Sequence, residues 1–323
     1  MIKVGIVGCG IIAGNSSLRK LDTHAGAFTS IKKGCIKACY DINGSKSLKF
    51  SKKINCKNAE NIDELVGRYK CNIISICSSD NSHYEVARKI LTSKHLPKII
   101  FIEKPPATRE QQIKKLIEVS KQKKVPIVVN MTRRFDERIN KIKKEIKSNK
   151  YSKLQSVSVT YYGGLIHNGF HALDMLQYIF ENKLKLKVIY NHKKIKNSKI
   201  DDLNLFCSLS FSKTNKIVNI NYVDDQFYQI FDIDMLFEKY RLQINNFGEQ
   251  IIISKKYTNK ISENVLKIDK KLYRKTKTPM QVAVHGLKNY IEKGNMEIIN
   301  QCSIEKVAGS MQIIWKIKKG IEN

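Results

Sequence analysis

The chain has 323 residues, 42% of them hydrophobic and 27% charged. That composition excludes a disordered or fibrous protein, and the length suits one or two domains. No apolar run approaches the roughly 18 residues that a membrane-spanning helix needs, so no membrane partner is expected. The excess of 59 Lys+Arg over 29 Asp+Glu, a net +30, raises nucleic acid as a partner. Only nine of those basic residues are Arg, however. Nucleic-acid interfaces favour Arg for its bidentate fork. The lysines are spread along the whole chain, so the charge reads as solvated faces and no nucleic-acid partner is expected. The positive field still favours anionic small molecules.

The eight cysteines are Cys9, Cys35, Cys39, Cys56, Cys71, Cys77, Cys207 and Cys302. No CxxC occurs and no paired spacing suggests zinc, so no metal is expected. Several lie inside apolar runs, where Cys packs as a small hydrophobe. Reduced thiols and a cytoplasmic location follow. The N-terminal run VGIVGCGIIAG has the apolar character of a short secretion signal, but its four glycines fit a strand entering a turn better.

From residue 1 to 131 the pattern alternates. Continuous apolar runs at Lys3–Val7, Cys35–Tyr40, Asn72–Cys77, Ile99–Ile102 and Ile127–Asn130 predict strands buried on both faces. Helical spacing predicts helices over Asn81–Lys94 and Arg109–Lys124. Strand–helix alternation makes a doubly wound parallel sheet. After residue 131 the pattern changes. Lys141–Lys150 reads as a charged helix or linker, Leu154–Tyr162 as an alternating strand, and Phe170–Phe180 as a helix. Strand-like runs follow at Leu184–Asn191, Leu203–Phe211, Lys216–Val223, Gln229–Phe237 and Arg241–Ser254, which without intervening helices predict one large, mainly antiparallel open sheet. Helices over Met280–Lys293 and Ser303–Lys319 close the chain, the second with Ser303 as its N-cap. The expected class is α/β followed by α+β.

The chemistry-bearing motifs sit where strands end. Gly8-Cys9-Gly10-Ile11-Ile12-Ala13 follows a strand and is expected to open a helix. In that context a GxGxxA pattern reads as a dinucleotide site: Gly8 makes the tight turn, Gly10 admits a pyrophosphate, and Ala13 allows close packing. Asp41 ends the next strand, where a carboxylate accepts ribose hydroxyls and repels a 2′-phosphate, so NAD is favoured over NADP although Lys46 lies near. The plainer use of Asp41 is a turn or helix cap. Three further motifs lie at strand ends: Cys77-Ser78-Ser79-Asp80-Asn81-Ser82-His83, Ile102-Glu103-Lys104-Pro105-Pro106 and Asn130-Met131-Thr132-Arg133-Arg134-Phe135. Each alone is explained by a capped helix, an exposed ion pair or a basic turn. Together they gather polar groups at the carboxyl edge of a parallel sheet, where ligands bind. A last constellation, Gly163-Gly164-Leu165-Ile166-His167-Asn168-Gly169-Phe170-His171-Ala172-Leu173-Asp174, spaces His167, His171 and Asp174 for one helix face. Asn168-Gly169 favours a turn between the histidines, which argues against a metal site.

The combination of VGIVGCGIIA, ICSSDNSHYEVA, IFIEKPPA and GGLIHNGFHALDML resembles the glucose-fructose oxidoreductase / inositol dehydrogenase (Gfo/Idh/MocA) family, in the right order along the whole chain. The resemblance implies a Rossmann domain over 1–131. It implies a substrate-binding and oligomerisation domain over 132–323, with the C-terminal helices packing back on the first. It also implies NAD(P)-dependent oxidation or reduction of a sugar, sugar derivative or nucleotide sugar, and assembly into homodimers or homotetramers. Ile11, Ile12, Ser78, Ser79 and His83 join Gly8, Gly10 and Asp41 as expected cofactor contacts. Lys104 is the lysine of the family's EKP tripeptide, touching both nicotinamide ribose and substrate, and Glu103 supports the cofactor site. His171 matches the acid/base histidine, whose ordinary pKa near 6.5 suits a base at neutral pH. Arg133, Arg134, Tyr161, Tyr162, Asn168 and Asp174 are expected to bind substrate. The chain departs from the family at His167, where Asp is common, and at Ser79, where Pro is common. A ring at position 167 cannot raise the pKa of His171 as a carboxylate would. A catalytically inert dinucleotide-binding sensor or regulator is the alternative.

Overall fold

In a computed structural model the described residues are 1–15, 20–195, 202–224, 226–274 and 277–322. They divide into two compact units, Met1–Asp136 with Lys277–Gly309, and Glu137–Thr276 with Ser310–Asn323. No helix among the described residues is long and apolar enough to cross a membrane.

The first unit is built on strands β1 (Val4–Val7), β2 (Ile36–Tyr40), β3 (Lys57–Asn58), β4 (Ile73–Ile76), β5 (Ile99–Ile102) and β6 (Ile127–Val129). Their order is β3-β2-β1-β4-β5-β6, and every pairing is parallel. Every residue of β1, β4 and β5 is buried, as continuous apolar runs covered on both faces must be. Helices α1 (His24–Ile31), α2 (Gly44–Ile54), α3 (Ile62–Val66), α4 (His83–Thr92) and α5 (Glu110–Lys123) connect these strands. Sequence spacing anticipates α4 and α5, whose apolar faces include Ala87, Ile90 and Leu91 and Ile113, Leu116 and Val119. It misses α1 to α3, which are short or Lys-rich. Their start signal is instead a side-chain cap, from Thr23, Asn43 and Asn61 respectively. The strand order reverses direction between β1 and β4, which puts the ligand crevice at their carboxyl ends.

The second unit contains α6 (Glu137–Lys147), β7 (Leu154–Tyr162), α7 (Phe170–Phe180), β8 (Leu184–Lys194), β9 (Leu203–Phe211), β10 (Ile217–Val223), β11 (Phe231–Phe237), β12 (Tyr240–Asn245), β13 (Gln250–Thr258) and β14 (Asn264–Leu272). The sheet runs β14-β13-β12-β11-β7-β10-β9-β8. All its pairings are antiparallel except β7 with β10. Burial alternates: Val157, Val159 and Tyr161 on β7, Phe231, Ile233, Met235 and Phe237 on β11, and Leu242 and Ile244 on β12 are all buried. That period of two marks a sheet with one covered face. Helices α8 (Pro279–Lys293) and α9 (Glu297–Cys302) return to the first unit, and α10 (Ile304–Glu322) starts there and ends in the second.

Two expectations about this sheet are corrected. The single strand expected over Arg241–Ser254 is two antiparallel strands, β12 and β13. The turn between them takes positive φ at Asn246, Phe247 and Gly248, and the Asn246 amide donates to Asp232 Oδ1 at 2.9 Å. Strand β14 was missed altogether. It pairs with β13 at the sheet edge and exposes nearly its whole length, so it carries no period-two burial signal. The Lys-rich segment after residue 136 is a helix, anchored by buried Ile139 and Ile142.

Candidate functional site

In the first unit, Gly8 leaves β1 with φ +88°, and its amide donates to Tyr40 O at 2.8 Å. A Cβ there would lie 2.5 Å from Ser78 N. The chain therefore passes so close to the end of β4 that no side chain fits. At Gly10 a Cβ would meet nothing within 4 Å, so the backbone there faces open space. The helix expected to start at this turn is corrected. Residues Ile11–Asn15 form one π-type turn, with Gly14 at φ 126°, and α1 begins only at His24. Of the long connection between them, residues 16–19 lie outside the described residues. Anion attraction at this turn thus rests on local backbone N–H groups and not on a long helix dipole.

Asp41 stands at the end of β2. Its Oδ2 accepts the Cys9 amide at 2.7 Å and its Oδ1 accepts the Asn43 amide at 2.9 Å. The cap of α2 is Asn43, so Asp41 is tied to the glycine turn instead of capping a helix. Each carboxylate oxygen keeps acceptor capacity for a hydroxyl. Ile42 next to it is 94% exposed and Ile11 is 77% exposed, apolar surface beside the turn that sequence reading undervalued at Ile42. The open backbone at Gly10, the cradle closed to any Cβ at Gly8 and the carboxylate at Asp41 together fit a dinucleotide.

The loops after β4 and β5 are tied together. His83 is fully buried, with Nδ1 2.7 Å from Pro105 O and Nε2 3.0 Å from Ser78 O. Its ring thus bridges the Ser78–Ser79 turn to the Glu103–Pro106 loop. Ser82 Oγ donates to Ser78 Oγ at 2.8 Å, and the Ser82 amide donates to Ser79 O. The Lys104–Pro105 peptide is cis.

Beneath that loop lies a polar cluster that sequence reading missed. His24 is fully buried. Its Nε2 lies 2.7 Å from Glu103 Oε1 and its Nδ1 2.6 Å from Ser75 Oγ. Asn130 Nδ2 donates to the same Glu103 oxygen at 2.5 Å. Burial works against a charged His24, but Cys77 and the hydrogen bond and charge of Glu103 outweigh it and push the ring up to about 10. In that form both ring nitrogens donate, which satisfies Ser75 and Glu103 at once. Burial likewise opposes the Glu103 charge. His24, Asn130 and Lys104 overcome it and hold the carboxyl below its usual range. No local pattern marks His24, since its partners lie 51 and 79 residues away. Asn130 was at least visible as a polar residue at a strand end.

Arg133 and Arg134 lie on a 3-10 turn, Thr132–Phe135, after β6. Arg134 is 4% exposed. Its Nη1 donates to Gln301 O at 2.8 Å, and Gln301 Nε2 donates back to the Arg134 carbonyl. This guanidinium ties the turn to α9 inside the unit, a structural use beside the substrate contact expected of it. Arg133 is partly exposed.

In the second unit, Gly163 and Gly164 take φ +61° and +88° and lead into a π-type turn, Leu165–Gly169, that continues as α7. His167 is exposed on the turn, while His171 is half-buried in the first turn of α7 and Asp174 is buried one turn further on. The three therefore do not share one regular helix. Among the described residues no three His, Cys, Asp or Glu side chains cluster as metal ligands. Asn168 is half-buried beside Gly163, and Tyr162 packs edge-on against Phe247 at 5.6 Å. Tyr161 departs from its expected pocket-lining role. It is fully buried and its hydroxyl accepts the Leu205 amide at 2.9 Å.

Residues 2–131 match the family model of the Gfo/Idh/MocA oxidoreductases, an NAD-binding Rossmann fold. Over those residues the chain is similar to the nucleotide-binding domain of that oxidoreductase family. Myo-inositol 2-dehydrogenase of Thermotoga maritima is 22% identical over 160 residues, 49% of this chain and 45% of that protein; the match thus spans less than half of that relative. Among solved structures, KijD10, a 3-ketoreductase from Actinomadura kijaniata in complex with NADP, superposes with a TM-score of 0.75. It is 12% identical, over 99% of this chain and 97% of that one. A super-repressor mutant of Gal80p from Saccharomyces cerevisiae superposes with a TM-score of 0.76, 14% identical over 98% and 95%. At these identities the structural likenesses establish the fold.

Two outcomes test this geometry. Gly8→Ala is expected to lose at least about 2 kcal/mol in denaturant unfolding, because a positive φ and a backbone clash coincide; a loss under about 0.5 kcal/mol contradicts the cradle. The His24–Glu103 pair sets a pH window. A raised His24 stabilises fully below its ordinary 6.5 and stops stabilising as pH rises through about 10. A lowered Glu103 stabilises above its ordinary 4.5 and stops as pH falls. Thermal melts of His24→Gln should therefore fall furthest below wild type near pH 5–6 and converge with it above about pH 10. An equal deficit at both ends would refute the ion pair.

Proposed function

We propose that the protein is a nicotinamide-dinucleotide-dependent oxidoreductase acting on a secondary hydroxyl or keto group of a sugar, sugar derivative or nucleotide sugar, with NAD preferred. The observation that carries this reading is the carboxyl edge of the first sheet. There the Gly8–Gly10 turn, the Asp41 carboxylate and the Glu103–Lys104 loop end β1, β2 and β5. Bound NAD supplies a hydride acceptor at nicotinamide C4, or a donor in the reverse direction. Gly8 and Gly10 let the backbone approach its pyrophosphate, and Asp41 accepts its ribose hydroxyls.

In the oxidative direction the imidazole of His171 takes the substrate hydroxyl proton. With that proton removed, the O–H electron pair would be free to form the carbonyl while the carbinol hydrogen would pass as hydride to a bound nicotinamide. Lys104 donates a hydrogen bond to the oxygen that gains negative character. His24 and Asn130 hold Glu103, and with it the loop that carries Lys104. The sugar and cyclitol class is supported by the likeness to a myo-inositol 2-dehydrogenase, and an anionic member of it by the net +30. The likeness to Gal80p and the His167 departure favour a second reading, a dinucleotide-binding regulator without turnover.

Monitoring NADH and NADPH across cyclitols, sugars and nucleotide sugars separates the two readings. Turnover is expected; tight NAD binding with no turnover on any of them would establish the regulator instead. On the substrate found, Lys104→Met and His171→Ala should each lower kcat about a hundredfold or more, with NADH affinity changed less than about threefold. Near-normal kcat in both would remove their catalytic roles. Asp41→Ala should lower the NAD-over-NADP preference in kcat/KM by about tenfold or more; an unchanged ratio would move cofactor selection elsewhere.

A further inference from the structure

Asp202 is a charged side chain in a place where charge is costly. It immediately precedes β9 and is 3% exposed. Its partners are backbone N–H groups. Oδ1 accepts from Ile166 N at 2.8 Å and from Leu203 N at 2.8 Å, and Oδ2 accepts from His167 N at 2.9 Å. Asn204, two residues on, accepts the Gly164 amide at 3.1 Å. The turn from Gly163 to Gly169 is thus held from one short segment of another strand. The fit is close: a Cβ on Gly164 would lie 2.2 Å from Asp202 Oδ2. Burial pushes the Asp202 carboxyl up, while the three amides and the charge of His167 pull it back.

We propose that Asp202 is a positioning residue of the reaction: its carboxylate locks the Gly163–Gly169 turn and thereby sets the placement of His167 and His171. The argument rests on the oxidoreductase reading above. The Phe170 amide caps back onto Leu165 O and Asn168 O, so the locked turn and the first turn of α7 are one continuous piece of backbone. His171 is the second residue of that helix. Any tilt of the turn therefore moves His171 directly. A misplacement of about 1 Å in an acid–base group costs on the order of a hundredfold in rate. A purely stabilising carboxylate would cost nothing in turnover once the protein is folded.

Asp202→Asn tests the distinction. It keeps the shape and one acceptor oxygen but turns an NH2 towards an amide that needs an acceptor. The full-length variant should show backbone amide exchange at Ile166 and His167 faster by about tenfold or more. NADH affinity, measured by fluorescence, should stay within about twofold, and kcat should fall by about tenfold or more with KM changed far less. Asp202→Glu, whose longer arm carries a carboxylate, should retain more of both amide protection and kcat than Asp202→Ala. Unchanged amide exchange in Asp202→Asn, or faster exchange with wild-type kcat, overturns the positioning role. A wild-type protein that turns over no substrate overturns the oxidoreductase reading instead, so the two failures are distinct.

Discussion

Glu103 carries a negative charge into a largely enclosed site, its side chain 13% exposed, and the carboxyl edge of the first sheet is arranged around keeping it there. Three separate strands contribute: Ser75 on β4, Glu103 after β5 and Asn130 after β6, with His24 reaching in from α1. A buried carboxylate without such partners would be neutralised or expelled. With them it becomes a rigid post beneath the Lys104–Pro105 loop. His83 fastens the other side of the same loop to the turn after β4. Lys104 is therefore presented by backbone whose position is set by interior hydrogen bonds and not by its own flexible stem.

The second unit solves a similar problem in the same way. Its histidine-bearing turn needs positive φ at Gly163 and Gly164, a conformation with little stability of its own. Asp202 supplies acceptors for amides that the turn cannot satisfy internally. In both units a buried carboxylate holds a loop, and the loop carries the group proposed to act. At His167 the carboxylate of Asp202, 35 residues later in the chain and just before β9, meets the backbone amide.

Several residues singled out by sequence lie inside their units. Tyr161, Arg134 and His83 all end in hydrogen bonds to backbone groups. Their types suggested contact with a ligand, since Tyr, Arg and His at loop ends often bind one. The same polar tips serve equally to satisfy backbone groups left over where strands stop. Nothing in the local sequence distinguishes the two uses, because the distinction depends on which backbone amide or carbonyl arrives from elsewhere.

The sequence by itself determined the alternation that builds the first sheet, the glycine turn, the carboxylate at Asp41, the EKP loop and the change to an antiparallel sheet. These are local or periodic features, written in neighbouring residues by steric and burial rules. It also carried enough motif content for a resemblance to that family over residues 2–131. Only tertiary structure decided that no regular helix follows the glycine turn and that β12 and β13 separate. It alone paired His24 with Glu103 and Asp202 with the histidine turn. Those features rest on partners dozens of residues apart, and a buried charge or a fully exposed edge strand leaves no periodic trace in the chain that carries it.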